Sequence, residues 1–179
     1  MSSEHFQGKY EVELKYRLAS KSAFLAQLKQ MPHEVMLEEN VESDTFFDTP
    51  SRTYAKQGKS VSIRSMSPSG IQLWIVKGPE PDRCEAVNIT DADKACSMLL
   101  TMGLAPVLRT SKTRSIYFLG EFHITVDSLA GIGYFAEFAI MTDDEAKLDG
   151  YREQLTAMAA QFGLQDSDRE CRSYRDMQA

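Results

Sequence analysis

Cysteine is scarce in this 179-residue chain, and the three present, Cys84, Cys96 and Cys171, are odd in number, far apart and form no CxxC pair. That excludes a disulfide framework and a zinc-ribbon spacing, and it suits packed thiols in a reducing cytoplasm. Long apolar runs are missing too. None approaches the roughly 18 residues of a membrane span, so no bilayer-crossing helix is expected. The opening residues Met1-Ser2-Ser3-Glu4-His5-Phe6 hold neither a basic segment nor an apolar one, so no secretory leader is read there. Net positive charge is lacking: at −6 and pI ≈ 5.1 the chain is a poor candidate for nonspecific nucleic-acid binding. There is no GxSxG element for a serine hydrolase, and Gly131-Ile132-Gly133 lacks the third glycine and following helix of a dinucleotide fingerprint. His5, His33 and His123 show no metal-ligand spacing. Only His123 shares strand parity with a charged residue of interest, Asp127, and it reads as a non-ligand.

What the chain does contain is alternation. Glu11, Glu13, Lys15 and Arg17 alternate with Val12, Leu14, Tyr16 and Leu18. In a β-strand this sets two acids and two bases on one face and apolar groups on the other. The ordinary reading is the wet side of an antiparallel sheet. A second reading is a charged interior, because similar charges recur at strand spacing: Arg64, Lys77, Glu85, Lys112 with Arg114, Asp127 and Glu137. The acidity is also uneven. Lys56, Lys59, Arg64 and Lys77 follow one another with no acid between, as do Arg109, Lys112 and Arg114. Basic segments inside an acidic protein suit a small polyanion better than a long one.

Turn and cap residues divide the chain into predicted strands at 7–18, 41–48, 59–66, 71–77, 84–89, 107–119, 122–129 and 133–142. Helical spacing follows Ser20, Thr90 or Asp91, and Asp143, with a short helical turn at 52–57 and a further short helix in the polar tail from Asp166. The pattern predicts an α+β domain on an antiparallel sheet, one globular unit over residues 1–179 without repeats or linkers. Charges of both signs on the polar faces favour closure into a barrel with a ligand-filled lumen. Trp74 and Phe46-Phe47 fit either the core or a wall against a base. The cations exceed what a carboxylate or sugar needs and match polyphosphate, where arginine can grip two oxygens. The acids match Mg²⁺ or Mn²⁺, which take hard oxygen ligands and complete their shells with water and phosphate.

The set Glu11-Val12-Glu13-Leu14-Lys15 (an ExExK motif), Arg64, Lys77 in Val76-Lys77-Gly78-Pro79, Glu85, the Lys112/Arg114 pair, Asp127 before Gly131-Ile132-Gly133, Glu137 and Ser173-Tyr174 resembles the CYTH superfamily. That superfamily joins class IV adenylyl cyclases with triphosphatases. The segments around Glu11 and Lys77 are most similar to the compact bacterial cyclases. The resemblance implies a closed eight-stranded antiparallel barrel, a triphosphate tunnel with helices packed outside. It implies Glu11, Glu13, Asp127 and Glu137 at a metal site of two Mg²⁺ or Mn²⁺ ions. It implies Lys15, Arg64, Lys77, Lys112 and Arg114 on the triphosphate, with Glu85 and Arg17 touching substrate or supporting groups that do. The implied reaction converts ATP to 3′,5′-cyclic AMP and pyrophosphate by attack of the ribose 3′-hydroxyl on the α-phosphate, in a cytoplasmic homodimer. The chain departs from the family pattern at Ser62, where a basic residue is common, and at Ala139, where a second acid is common. A missing acid favours cyclisation over hydrolysis, because cyclisation brings its own nucleophile whereas hydrolysis must activate water. A triphosphatase releasing orthophosphate is the nearer alternative. A non-catalytic polyphosphate sensor is the farther one, and it would not need the acids.

Overall fold

The computed structural model describes residues 4–179, so the leader-free reading of Met1 to Ser3 falls outside the described residues. Eight strands, β1 (Tyr10–Leu18), β2 (Glu34–Asp48), β3 (Ser60–Ser67), β4 (Gln72–Lys77), β5 (Cys84–Asn88), β6 (Ala105–Leu119), β7 (Phe122–Leu129) and β8 (Gly133–Thr142), form one antiparallel sheet in the order β1-β8-β7-β6-β2-β3-β4-β5. Five helices accompany it: α1 (Lys21–Lys29), α2 (Thr53–Lys56), α3 (Ala92–Thr101), α4 (Leu148–Gln161) and α5 (Tyr174–Gln178).

Alternation places the core on the outside of the curled sheet. Val12, Leu14, Tyr16 and Leu18 of β1 turn outward and are buried with Phe138 and Ile140 of β8 against Phe24 and Leu28 of α1 and Leu155, Ala159 and Phe162 of α4. A second cluster joins Phe47, Val61 and Ile63 to Leu99 of α3 and the following Leu104. Burying such large side chains stabilises by roughly 1.5–3 kcal/mol each, so the helices hold the convex face and leave the charged faces to line the inside. The wet-surface reading of Glu11, Glu13 and Lys15 is therefore replaced by the interior one.

The predicted closed barrel is corrected in one respect. The sheet curls until its edges β1 and β5 meet at one end, through a bridge between Tyr10 and Arg83 and backbone bonds from Glu11 N–H to Asp82 O (2.7 Å) and from Cys84 N–H to Lys9 O (2.8 Å). No ladder continues from there. β5 has five residues against nine in β1, too few to follow it, so the molecule is a half-barrel pinned at one corner.

Predicted and observed strands agree closely, except that β2 begins at Glu34 rather than Val41. Its first half pairs with β6 through register shifts between Val35 and Leu37 and between Leu37 and Asn40, with Glu39 at φ 51. Bulges break the period of two by which a strand is recognised. Ser20 caps α1 as expected, and Asp91, one of the two expected candidates, caps α3. Ser20 accepts from Ala23 N–H and Asp91 from Lys94 N–H, while the helix after Asp143 opens with a 3-10 turn whose cap, Asp144, accepts from Ala146 N–H.

Candidate active site

The concave face encloses a cavity of about 1040 Å³. Glu11, Glu13, Lys15, Arg64, Lys77, Lys112, Arg114 and Glu137 all line it, so eight of the predicted site residues are brought together from five strands.

One wall is basic. Arg64 donates from Nε and Nη2 to the two carboxylate oxygens of Asp44 (2.7 and 3.1 Å), its cross-strand partner. Lys112 Nζ lies 3.3 Å from Glu42 and 3.5 Å from Asp44, and Arg64 Nη1 lies 3.2 Å from Glu42. Burial and the neighbouring Arg64 and Arg114 guanidinium groups push the Lys112 ammonium down, against the pull of Glu42 and Asp44. Burial alone would raise the carboxyls of Glu42 and Asp44. The surrounding cations together outweigh it, Arg64 first in both, with Arg114 next at Glu42 and Lys112 next at Asp44, and hold them below the ordinary range.

The opposite wall, on β1 and β8, is acidic. Lys15 faces Glu137 in the β1–β8 register, which puts Glu13 diagonal to Glu137. Burial, and then the adjacent Glu13 carboxylate, push the Glu137 carboxyl up even though Arg114 touches it. Glu11 lies 3.3 Å from His123 Nε2, and that hydrogen bond holds its carboxyl down against the effect of burial. Lys77 stands at the end of β4. Against desolvation, the Cys84 sulfur and the carboxylates of Glu13 and Glu11 hold its ammonium above the usual lysine range. Gly78 fixes that strand end: it sits at φ 80, and a Cβ there would collide with the Gly58 carbonyl oxygen.

Three predicted residues lie elsewhere. Glu85 has the wrong parity, since Cys84 and Ala86 line the cavity; it faces out and accepts from Arg83 Nη2 at 2.7 Å, which corrects its assignment to substrate. Arg17 is exposed at the end of β1 and bonds the Ile132 carbonyl and Glu170. Asp127 is fully buried beneath the cavity wall and accepts two bonds from Arg114 (2.7 and 2.8 Å) and one from Tyr174 Oη (2.6 Å), so it braces Arg114 instead of facing the lumen.

Sequence reasoning missed Glu42 and Asp44, although Glu42-Ser43-Asp44 carries the same alternation as Glu11-Val12-Glu13. It set aside His123, whose buried ring faces Glu11, and Cys84, whose thiol burial pushes up to about 12. The tail was read as polar surface. In the structure Arg169 bridges to Tyr16, Glu170 N–H donates to Lys15 O, and Lys15 Nζ donates to the Arg172 carbonyl at 2.7 Å, which brings the tail over the cavity.

Basic groups held by acids on one wall thus face a crowded acid pair on the other. Residues 9–174 match the CYTH domain, and the chain belongs to that family. It is 62% identical to adenylate cyclase CyaB of Aeromonas hydrophila, over 99% of this chain and 93% of that protein. The X-ray structure of an adenylate cyclase candidate from Vibrio parahaemolyticus is 60% identical, with a TM-score of 0.93, over 96% of this chain and 98% of the other. A Pyrococcus horikoshii protein of known structure is 26% identical, with a TM-score of 0.80, over 94% and 97% of the two chains.

Proposed function

We propose that this protein is an adenylate cyclase that converts ATP to 3′,5′-cyclic AMP and pyrophosphate. The observation that carries the reading is the cavity itself: Lys15, Arg64, Lys77, Lys112 and Arg114 converge on one lumen beside Glu11, Glu13 and Glu137, in a chain 62% identical to a named adenylate cyclase. The five cations match a triphosphate, since each phosphoryl oxygen gains from charge-assisted bonds. Attack of the 3′-hydroxyl on the α-phosphorus forms the new O–P bond and breaks the bond to the β-phosphate oxygen, and the hydroxyl proton leaves to solvent. Charge then moves onto pyrophosphate, where preorganised cations stabilise it most. Holding the ribose folded over the α-phosphate makes the attack effectively unimolecular.

The acid pair fits a divalent ion. Among the described residues no three His, Cys, Asp or Glu side chains stand together as a ready-made metal cage. Mg²⁺, however, is ordinarily held by one or two carboxylates plus substrate phosphate and water. Glu13 and Glu137 would supply those carboxylates, and burial together with the neighbouring Glu13 charge pushes the Glu137 carboxyl up. Glu11, whose carboxyl His123 holds down against burial, lines the same cavity. Bound Mg²⁺ or Mn²⁺, two ions in this reading, would lower the pKa of the hydroxyl and neutralise phosphoryl charge. Glu13→Gln or Glu137→Gln should abolish activity while leaving the fold intact.

The same reading takes residues 9–174 as one catalytic unit that works in the cytoplasm, in keeping with three unpaired thiols. It takes the assembly as a homodimer, supported by exposed Trp74, Val76 and Val87 on the outer face of β4 and β5. The test is product analysis with ATP and Mn²⁺ or Mg²⁺. Cyclic AMP and pyrophosphate in equal amounts are expected. Orthophosphate as the phosphorus product would assign a triphosphatase instead.

A further inference from the structure

Tyr174 reaches the site from the far end of the sequence and touches three of its charged groups. Its hydroxyl donates to Asp127 Oδ2 at 2.6 Å. The same carboxylate takes Nε and Nη2 of Arg114, and Arg114 Nη2 continues to Glu137. The Tyr174 ring serves separately: Lys15 Nζ lies 4.1 Å and Lys112 Nζ 5.4 Å from its centroid. Phe135 holds the ring edge-on at 5.5 Å.

The backbone around Tyr174 is fixed at several points. Ser173 Oγ accepts from Asp176 N–H to start α5, Gln178 Nε2 donates to Ser111 O on β6, and Glu170 N–H donates to Lys15 O on β1. A ring needed only for packing would not require the hydroxyl, and a hydroxyl needed only to satisfy Asp127 would not require two ammonium groups at the ring.

We propose that Tyr174 is a positioning residue of the reaction. Its hydroxyl locks Asp127 so that Arg114 points into the cavity, and its ring sets the positions of the Lys15 and Lys112 ammonium groups before substrate enters. The two functions separate by substitution. Phenylalanine keeps the ring and loses the donor; leucine loses both. The inference rests on the cyclase reading for its kinetic arm only, because binding of inorganic tripolyphosphate tests the same geometry without turnover.

The experiment measures cyclic AMP formation, tripolyphosphate binding by calorimetry and melting temperature for Tyr174→Phe and Tyr174→Leu, with Tyr174→Phe repeated in an Asp127→Asn background. Loss of a hydrogen bond to a charged acceptor should lower kcat about 10-fold or more in Tyr174→Phe, with KM and tripolyphosphate affinity within about threefold. Tyr174→Leu should in addition weaken tripolyphosphate about 10-fold. Because the hydroxyl acts through Asp127, Tyr174→Phe should change activity less than about twofold once Asp127 is Asn. Unchanged kcat in Tyr174→Phe, a full additional loss in the Asp127→Asn background, or faster turnover in Tyr174→Leu would overturn the assignment, the last by making the tail an inhibitory cover. If the wild type binds tripolyphosphate but makes no cyclic AMP, the cyclase reading fails alone. Weakened binding in Tyr174→Leu then still supports the positioning role, and unchanged binding removes it.

Discussion

Replacing Glu42 with Gln keeps the shape of the side chain and removes the central negative charge of the basic wall. Its side chain is fully buried, and its carboxylate lies 3.2 Å from Arg64, 3.3 Å from Lys112 and 3.8 Å from Arg114. At an effective dielectric of about 20, each contact is worth roughly 4–5 kcal/mol of Coulomb energy, most of it offset by the cost of burying the charges. The measurable quantity is the cost of leaving the cations unpaired, typically about 3–5 kcal/mol for a broken buried pair. In a chain of this size about 2–4 °C of melting temperature accompany each kcal/mol, so the ligand-free Glu42→Gln variant should melt on the order of 6–20 °C below wild type. The same substitution removes the internal rival of a bound triphosphate. Tripolyphosphate should therefore bind the variant more tightly than wild type and restore much of the lost melting temperature. Thermal melts and calorimetry, each with and without tripolyphosphate, decide the matter. A variant that melts normally, or binds tripolyphosphate more weakly, would show that Glu42 does not balance the cations of a phosphate site.

Lys77→Ala and Arg114→Ala should each cost about 10- to 150-fold in kcat/KM for ATP, whereas Lys29→Ala, on the exposed face of α1 and paired only with Glu38, should change neither parameter. Loss in kcat would mark a contact that strengthens as charge moves onto pyrophosphate, and loss in KM one made equally in the ground state. Asp44 titrates below the ordinary aspartate value in the folded protein, so its contribution to stability is complete above about pH 4 and is lost as pH falls through that value toward the folded one. Asp44→Asn should lower stability at pH 7 and flatten its decline below pH 4, and acid melts of the two proteins check this. With its thiol pushed up to about 12, Cys84 should resist iodoacetamide at pH 8 while exposed Cys171 is alkylated, as peptide mass mapping will show.

Eight of the eleven charged residues singled out from the sequence line the cavity, because strand parity is a local property and survives folding. Glu85 shows where parity fails. β5 has five residues between two turns, with Glu85 and Val87 on one face and Cys84, Ala86 and Asn88 on the other, so its inside is decided by pairing with β4 and not by its own pattern. Asp127 has the right parity but lies too deep, since Arg114 and Tyr174 cover it, and depth along a strand has no signature in alternation. Glu42 and Asp44 were readable in the same way as Glu11 and Glu13, by their shared parity on one strand. The incomplete closure was not readable at all: it depends on the lengths of β1 and β5 and on their single bridge at Tyr10 and Arg83.

Those acids explain how five cations share a half-buried lumen before any substrate arrives. Arg64 has Asp44, Arg114 has Asp127, and Lys112 is shared between Glu42 and Asp44, so the basic wall is close to neutral and its side chains are held in place by hydrogen bonds. Lys15 and Lys77 differ. Lys15 donates to the Arg172 carbonyl, and Lys77 stands among Cys84 and the carboxylates of Glu13 and Glu11. The two lysines thus stand beside the acid wall, Arg114 reaches it through Glu137, and Arg64 stands against Asp44 and Glu42 on the other side. A triphosphate entering this field meets fixed guanidinium forks at one wall, and at the other an acid pair that gains most from a divalent cation carried in with the substrate. On the proposed function that field would set which wall takes the bare phosphate oxygens and which the metal-bound ones, so exchanging the charges of Glu13 and Arg64 should abolish catalysis even though the net charge of the cavity is unchanged.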